Sequence, residues 1–495
     1  MGPPNRLSRR RFLAGAGLAL FGARARAETA ESALSSLIGS ELELAARWAS
    51  GVGARLGACF VDVASGFELG GSAAGTAENP ASNQKLVTAG TLLHHLGGQH
   101  AFGTALYGRV NSGRVAELVV RGEGDPSLSS ADLAVIAGAL RDQGVREVGR
   151  IAVDQSVFDA AFVPPGFEQQ PNEWAAFRAP VSAVAVERNS VLVTIEPAKR
   201  GEPARVAFQP DGFVETEGAI ATGPRGKGLR PVAGLAGRGD HLVARLGGAI
   251  AEGQSPLRYR QRVEDPRVLP AYALKSALVT AGVRVTGPLG LGQSAELVPL
   301  LWHRSRPLAE LLPELGKNSD NFYAETLLKA LAAAVHGAPA SSAAGAELAT
   351  EWLESIGARD AGTRVTNGSG LFDSNRLSPR TLARVLVAAW RDPALGFDFV
   401  NQLAVGGVDG TLKQRFTSWA SRRAVLAKTG TLNDTVALSG YVVGPEHRRV
   451  VAFSCIATGV HGRLGAARQH IDAVVERVGD ALWVGAAAAP AATSG

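Results

Sequence analysis

The sequence predicts an α+β protein of several domains, and both stretches with helical spacing and stretches with strand-like composition occur along the chain. Apolar residues recur at helical spacing in residues 28–49 and 469–483, near the two ends of the chain. Three β-rich runs follow one another within residues 424–457. A chain of 495 residues is too long for one compact core, so we expect two to four domains.

The N-terminus has the pattern of an export signal. The stretch Ser8-Arg9-Arg10-Arg11-Phe12-Leu13 is a twin-arginine pattern, and a short apolar run follows it. Ala25-Arg26-Ala27 offers a cleavage site of small residues before Glu28. The alternative is an anchoring helix, but the run is too short and too rich in Gly and Ala to span a bilayer comfortably. We expect residues 1–27 to be removed, giving an exported, periplasmic protein without a transmembrane anchor.

Composition excludes several classes of function. The net charge of +6 comes from 51 basic and 45 acidic residues. Six of the arginines lie in residues 1–27, so the mature chain is near neutral and gives no argument for nucleic-acid binding. The two cysteines, Cys59 and Cys455, form neither a disulfide framework nor a metal site. The nine histidines are scattered, and we expect no metal and no cofactor.

The first elements lead to a serine and a lysine that could act together. Residues 55–64 predict a strand, Ser65-Gly66 a turn, and residues 67–70 the start of the returning strand. A helix follows from Pro80, with Ser82 at its N-terminus and Lys85 one turn later on the same side. A lysine kept neutral by its surroundings can take the proton of a serine hydroxyl. Alone, however, Ser-x-x-Lys is more often a cap and a solvated lysine.

A long insert separates Lys85 from Ser319. Its outer parts mix strands (101–120 and 149–153) with helices at 131–143 and 268–281. Residues 180–254 contain short β-like pieces, many glycines and no long helical stripe. The insert therefore resembles an α/β unit interrupted by a β-rich unit.

The C-terminal part returns to helices and then strands. Helices are predicted at 307–315, 322–335 and 380–390, the last with Ser378 as N-cap and Pro379 at its first position. Ser319-Asp320-Asn321 lies between the first two, and Lys428-Thr429-Gly430 ends the first of the three strands. The Ala-rich residues 485–495 predict a disordered tail.

The three motifs Ser-x-x-Lys, Ser-Asp-Asn and Lys-Thr-Gly occur in the order found in penicillin-binding proteins and class A β-lactamases. Together with surrounding signatures, they make the chain resemble the D-alanyl-D-alanine carboxypeptidase/endopeptidase family, the class C low-molecular-mass penicillin-binding proteins. The resemblance covers nearly all of the mature chain. One departure is Ala404-Val405-Gly406-Gly407, where the family tends to have Pro-Val-Ala-Gly. The signatures are Pro80-Ala81-Ser82-Asn83-Gln84-Lys85, Gly122-Glu123-Gly124-Asp125-Pro126, Ala179-Pro180-Val181-Ser182-Ala183, Ser319-Asp320-Asn321-Phe322-Tyr323-Ala324-Glu325, Asn367-Gly368-Ser369-Gly370-Leu371, Gly407-Val408-Asp409-Gly410-Thr411-Leu412 and Lys428-Thr429-Gly430-Thr431-Leu432.

The resemblance implies a β-lactamase/transpeptidase-like serine peptidase domain, an antiparallel sheet flanked by helices. This domain would be split between residues 28–97 and 296–484. The inserted α/β domain would take 98–182 and 258–295, and the nested β-rich domain 183–257. Family members cleave peptidoglycan stem peptides at D-Ala-D-Ala, or at the cross-link made from it, and are acylated by β-lactams. The expected partners are therefore stem peptides and, as covalent inhibitors, β-lactams.

The resemblance also assigns roles to residues, and the chemistry of the side chains agrees with them. Ser82 would attack the amide carbonyl, and Lys85, kept neutral by burial and by positive Lys428, would take its proton. Ser319 would relay a proton to the leaving amine. The substrate-binding residues would be Asn321, the strand Lys428-Thr429-Gly430-Thr431, and Ser369, although Ser369-Gly370 is equally well a simple turn. Asp320 would be structural, and the N–H groups of Ser82 and Thr431 would form the oxyanion hole.

Two other functions remain open at this stage. A β-lactamase would share the three motifs and differ only in hydrolysing its acyl-enzyme. A non-catalytic cell-wall or β-lactam-binding protein would use the fold for recognition, but it would have no need for a nucleophile with its base. The sequence does not decide the balance of carboxypeptidase and endopeptidase activity, or the oligomeric state.

Overall fold

A computed structural model describes residues 31–226 and 228–487 of the chain. The helices in these residues are α1 (31–51), α2 (Gln84–Leu96), α3 (Ser130–Asp142), α4 (Leu269–Thr280), α5 (Leu308–Gly316), α6 (Asn321–His336), α7 (Ser342–Ser355), α8 (Pro379–Arg391), α9 (Gly396–Asn401) and α10 (Leu464–Ala487).

The strands form four sheets, with members that are distant in sequence. They are β1 (Arg55–Asp62), β2 (Glu68–Ser72), β3 (Gly103–Tyr107), β4 (Val110–Asn111), β5 (Arg114–Gly122), β6 (Glu147–Asp154), β7 (Ser190–Glu196), β8 (Arg205–Gln209), β9 (Val214–Gly218), β10 (Ala221–Gly223), β11 (Pro231–Arg238), β12 (His241–Ala251), β13 (Leu257–Arg262), β14 (Arg284–Val285), β15 (Leu289–Leu291), β16 (Pro299–Arg304), β17 (Ala404–Val405), β18 (Val425–Thr431), β19 (Thr435–Val443) and β20 (Val450–Thr458).

A six-stranded antiparallel sheet joins the two ends of the chain in the order β17-β18-β19-β20-β1-β2. Helices α1 and α10 bury their apolar faces against one side of this sheet. Helices α2 and α5 to α9 form a larger hydrophobic core on the other side. The molecule therefore has three layers here, and the predicted α+β class, with an antiparallel sheet flanked by helices, is confirmed.

Two helices begin at local capping signals, and the one at Ser378 is as predicted. Ser378 accepts a hydrogen bond from the backbone N–H of Thr381 and caps α8, with Pro379 at the first helical position. Ser129 and Asp132 form a reciprocal capping box at the start of α3. These caps satisfy backbone donors that have no partner inside the helix, so helix starts are encoded by a few neighbouring residues.

The outer part of the insert is built on a seven-stranded mixed sheet. Strands β5 and β6 run parallel, β3 and β16 extend the sheet on one side, and β14 and β15 pair with β6 on the other. Helices α3 and α4 share a hydrophobic cluster with this sheet. Strand β16, which follows the predicted end of the insert at residue 295, pairs with β3. Pairing of strands so distant in sequence leaves no local signal.

The nested β-rich part contains two small sheets around one hydrophobic cluster. One has the order β10-β12-β11 with β9 also paired to β12, and the other has the order β13-β7-β8. Strand β13, which begins at the predicted boundary at residue 257, pairs with β7 through Arg262. We propose that the domain boundaries follow these sheets.

The two predicted terminal segments have different outcomes. The export signal, residues 1–27, lies outside the described residues. At the C-terminus, α10 continues to Ala487, three residues into the segment predicted as a disordered tail. Alanine has the highest helix propensity, so Ala486 and Ala487 extend the helix. Across the described part of the chain, no helix has the length and apolar character needed to cross a membrane.

Candidate active site

Ser82 lies in a short 3-10 turn, Ala81–Asn83, directly before α2. The turn begins after Pro80, and Asn79 Oδ1 accepts a hydrogen bond of 3.0 Å from the N–H of Ala81. Ser82 is partly exposed, whereas the residues around it are buried. The serine is therefore presented at the surface of the helical layer by this turn, directly before the N-terminus of α2.

Lys85 occupies the first turn of α2 and is completely buried. Its Nζ lies 2.7 Å from Asn321 Oδ1, 2.7 Å from the carbonyl oxygen of Ser369 and 3.2 Å from Ser82 Oγ. A neutral amine has two N–H donors and one lone pair. Asn321 and Ser369 can only accept hydrogen bonds at these atoms, so they take the two N–H groups. The lone pair then faces the Ser82 hydroxyl.

Burial lowers the pKa of Lys85 to about 7. The negative charges of Glu325 and Asp320 oppose this shift by raising the pKa. Burial first, and then repulsion from the charge of Lys85, lower the pKa of Lys428 well below its ordinary value.

The Ser-Asp-Asn motif forms the turn into α6. Ser319 adopts a left-handed conformation with φ of 58°. Asp320 is the N-cap of α6, and its Oδ1 accepts a hydrogen bond of 3.0 Å from the N–H of Tyr323. Asn321 bridges two parts of the protein, since its Oδ1 accepts from Lys85 and its Nδ2 donates to the carbonyl of Phe177 at 3.2 Å. Two site residues thus flank a structural aspartate.

The Lys-Thr-Gly motif lies on β18, beside the nucleophile turn. Lys428 is completely buried, and its Nζ lies 2.8 Å from Ser319 Oγ and 2.8 Å from the carbonyl of Thr429. Thr429 Oγ1 donates to Thr411 Oγ1 at 2.9 Å, and Thr431 is exposed. An added Cβ on Gly430 would lie 3.0 Å from the carbonyl oxygen of Pro80, so glycine lets the strand approach the turn.

Ser369 and Glu325 have places that the sequence did not predict. Ser369 is completely buried, and its carbonyl oxygen accepts a hydrogen bond from Lys85 Nζ. It therefore orients the lysine and is not exposed to a bound substrate. Glu325 is also completely buried, and its carboxylate accepts from the N–H groups of Gly368 at 3.1 Å and Ser369 at 2.8 Å. It therefore holds this loop. Burial raises the pKa of Glu325.

Asn83 is a further site residue that the motif pattern did not single out. It is buried, and in the amide orientation that satisfies both partners it donates to the carbonyl of Lys428 at 2.9 Å and accepts from the Ser439 hydroxyl at 2.6 Å. Asn83 therefore ties the turn carrying Ser82 to the strand carrying Lys428. Its place between Ser82 and Lys85 is the only signal that could have found it.

A cavity of 710 Å³ opens next to this constellation. Thr431, Leu371 and Phe372 line it from the peptidase side, and Gln169 and Phe177 line it from the insert. Within residues 31–226 and 228–487, no group of three or more His, Cys, Asp or Glu residues could hold a metal ion. The site thus combines a serine, two buried lysines and space for a ligand.

Comparison with known sequences gives one family. The sequence profile of the D-Ala-D-Ala carboxypeptidase 3 (S13) family matches residues 42–478. The D-alanyl-D-alanine carboxypeptidase of Actinomadura sp. (strain R39) is 34% identical over 455 residues, covering 86% of this chain and 82% of that protein. D-alanyl-D-alanine carboxypeptidase DacB of Haemophilus influenzae is 27% identical over 380 residues, covering 75% of this chain and 78% of its own.

Solved structures show the same fold. Penicillin binding protein 4 (dacB) from Haemophilus influenzae superposes with a TM-score of 0.73 at 23% identity, covering 86% of this chain and 96% of that chain. A second structure of that protein, complexed with a novel β-lactam, has a TM-score of 0.68 at 23% identity and covers 87% of this chain and 96% of that chain.

Proposed function

This chain belongs to the D-Ala-D-Ala carboxypeptidase 3 (S13) family and is a serine DD-peptidase, and we propose that Ser82 forms its acyl-enzyme. One observation carries the proposal. Both N–H groups of neutral Lys85 donate to Asn321 and Ser369. Ser82 Oγ lies 3.2 Å from Nζ and faces its lone pair. A lysine with a pKa of about 7 in this geometry is a suitable general base at neutral pH.

In the acylation step, Ser82 Oγ attacks the carbonyl carbon of the penultimate D-alanine, and Lys85 takes the hydroxyl proton. The N–H groups of Ser82 and Thr431 stabilise the oxyanion of the tetrahedral intermediate. The intermediate collapses by breaking its C–N bond, and the leaving amine takes a proton relayed through Ser319. The products are an ester on Ser82 and free D-alanine, or, if the substrate is a cross-link, the acceptor strand that carries the released amine.

Lys428 and its strand bind the C-terminal end of the substrate. Burial disfavours the Lys428 ammonium in the empty site, and an arriving carboxylate favours it by supplying the opposite charge. Lys428 also contacts Ser319 Oγ at 2.8 Å, so the proton relay and the carboxylate site share this lysine. The hydroxyls of Thr429 and Thr431, with Gly430 between them, line the strand beside it, and Asn321 binds the peptide backbone.

The second half-reaction distinguishes a peptidase from a β-lactamase. Between Ser319 and Lys428 the chain has four glutamates, and all four lie on helices. Glu325 is buried and already holds two backbone N–H groups. Glu347, Glu351 and Glu354 are exposed on α7. None of these glutamates suits the activation of a deacylating water for β-lactams, so we expect peptides to turn over while a β-lactam stays attached.

The test is mass spectrometry of the intact protein after mixing with benzylpenicillin. We expect a stable added mass on the wild-type protein and none on Ser82→Ala, and we expect only the wild type to cleave a D-Ala-D-Ala peptide. Rapid multiple turnover of penicillin without a persistent adduct would favour a β-lactamase. Binding without adduct or turnover would favour a recognition protein. Products from purified cross-linked peptidoglycan then give the balance of carboxypeptidase and endopeptidase activity.

We also propose that the protein acts outside the cytoplasm, in the periplasm. The proposed substrates are peptidoglycan stem peptides, and β-lactams are the proposed covalent inhibitors. The twin-arginine pattern at Arg9 and Arg10 and the cleavage site before Glu28 support export.

A further inference from the structure

Three consecutive residues of the insert adopt a conformation that L-amino acids avoid. Glu187, Arg188 and Asn189 have φ angles of 53°, 58° and 48°, all in the left-handed region. None of them is glycine, so each is held there at an energetic cost by its surroundings. Such strain persists only where neighbouring contacts fix it, and it is commonly found at functional positions.

The contacts of this turn explain how it is held. Glu187 accepts a hydrogen bond of 2.9 Å from the N–H of Ser130 and forms an ion pair with Arg260. Asn189 is completely buried, and its amide donates to the carbonyl of Pro180 and to Ser182 Oγ, both at 2.9 Å. Both flanking residues therefore face the insert. Only Arg188, at the apex, points away from it.

Arg188 reaches the Ser-Asp-Asn turn of the peptidase part. Its Nη1 lies 2.8 Å from Asp320 Oδ2, and its Nη2 lies 3.4 Å from Glu314 Oε2. The guanidinium also lies over the ring of Tyr323, 5.1 Å from the ring centre. The other carboxylate oxygen of Asp320 caps α6. Asp320 is thus held between the helix and the insert.

We propose that Arg188 is a positioning residue for the DD-peptidase reaction, a role that rests on the proposed function. By fixing Asp320, Arg188 sets the places of the two neighbouring residues. Ser319 Oγ must stay within hydrogen-bond distance of Lys428 Nζ, and Asn321 Oδ1 must stay within hydrogen-bond distance of Lys85 Nζ. Small displacements of catalytic groups cause large losses of rate. The inserted domain therefore takes part in catalysis by holding the site in its reactive geometry.

The test compares acylation rates of full-length variants with benzylpenicillin, expressed per Ser82 that can be titrated. Arg188→Ala should lower the acylation rate constant and kcat for a D-Ala-D-Ala peptide about 10- to 100-fold, with KM changed much less. Arg188→Lys should recover part of the loss, because an ammonium keeps the charge facing Asp320 but lacks the planar fork that also reaches Glu314. Arg238→Ala is the matched control, since Arg238 pairs with Glu215 and Glu217, both within the insert, and it should react like wild type.

A double-mutant cycle tests the route of the effect. Asp320→Asn keeps an N-cap but removes the charge that Arg188 pairs with. If Arg188 acts through Asp320, the double variant should lose much less than the product of the two single losses. If Arg188→Ala is acylated at the wild-type rate, or if the two substitutions have independent effects, the proposal is overturned. Ser82 would still be the nucleophile. An absence of any Ser82 adduct in the wild type would overturn both proposals together.

Discussion

Lys85 shows how the environment of one residue decides its chemistry. A lysine one turn after a serine on a helix surface is normally a solvated cation. Here the side chain is completely buried, with two acceptors on its N–H groups and the Ser82 hydroxyl at the third position. Burial penalises the ammonium more than Glu325 and Asp320 stabilise it, and the pKa falls to about 7.

This pKa predicts the pH dependence of acylation. Only the neutral form of Lys85 can take the Ser82 proton, so the rate constant for acylation by benzylpenicillin should rise with pH around a midpoint near 7. A single titration with this midpoint gives a gain of about tenfold between pH 6 and pH 8. Stopped-flow measurements across pH 5.5–8.5 check this. Lys85→Arg, which stays charged, should remain inactive throughout, and a wild-type rate that falls as pH rises would contradict the assignment.

At the scale of elements, the loop around Gly370 meets the nucleophile turn very closely. Gly370 has a φ of 74°, and an added Cβ would lie 1.9 Å from the carbonyl oxygen of Ala81. Glycine is required here for two reasons, its left-handed conformation and the lack of space. The same loop supplies the Ser369 carbonyl that orients Lys85. A displacement of the loop would therefore shift both the turn and Lys85.

Gly370→Ala should therefore disturb both folding and catalysis. We expect the free energy of unfolding to fall by more than about 3 kcal/mol and the remaining folded protein to acylate slowly. Gly357→Ala is the matched control, because Gly357 has a φ of 64° but open space around it. Gly357→Ala should lower the free energy of unfolding by about 1 kcal/mol, which is the penalty for alanine in a left-handed conformation, and should leave the acylation rate unchanged. Denaturant unfolding with penicillin titration measures both. Equal costs for the two variants would show that the close contact is unimportant.

The register of the six-stranded sheet decides the state of the two cysteines. Cys59 pairs with Ser454 and Cys455 pairs with Ala58, on the adjacent strands β1 and β20. Because side chains alternate between faces, the two thiols point into opposite hydrophobic cores. Only a register slip of one residue would bring them to the same face. Both are free and buried.

Thiol titration checks this register. Unfolded protein should show two reactive thiols whether or not a reductant was present. In the native protein both should react very slowly at pH 8, because they are buried and burial raises the pKa of Cys59 to about 12. A count of zero in unreduced, unfolded protein would mean that the thiols are paired.

At the scale of the whole molecule, the insert touches the peptidase part around the active site. The carbonyl of Pro165 accepts from Asn367 Nδ2 at 2.8 Å, and the carbonyl of Phe177 accepts from Asn321 at 3.2 Å. Lys329 of α6, which is completely buried, pairs with Asp159. These contacts connect α6 and the loop at 367–370 to the insert, so the inserted domains are part of the wall of the site.

Export is the other property of the whole molecule that can be tested. Replacing Arg9 and Arg10 by Lys should leave the precursor in the cytoplasm, because the twin-arginine pathway recognises the arginine pair itself and not its charge. Arg24→Lys, outside the pattern, should be exported normally. Cell fractionation with detection of the precursor and mature forms measures both. Normal export of the Arg9 and Arg10 variant would exclude this route.

The sequence by itself determined the features that depend on neighbouring residues. The Ser378 cap of α8, the spacing of Ser82 and Lys85, and the strand-like runs that became β18 to β20 are local patterns of a few residues each. The three motifs in order also indicated the family, and the resemblance to that family implied the fold of the peptidase domain.

Only the tertiary structure decided the features that join distant parts of the chain. It brought β16 into the sheet of the insert, buried Ser369 behind Lys85, and placed Arg188 on Asp320. It also made burial the largest cause of the low pKa of Lys85. These outcomes depend on strand pairing, desolvation and close contacts between residues far apart in sequence, and such terms exist only once the chain is packed.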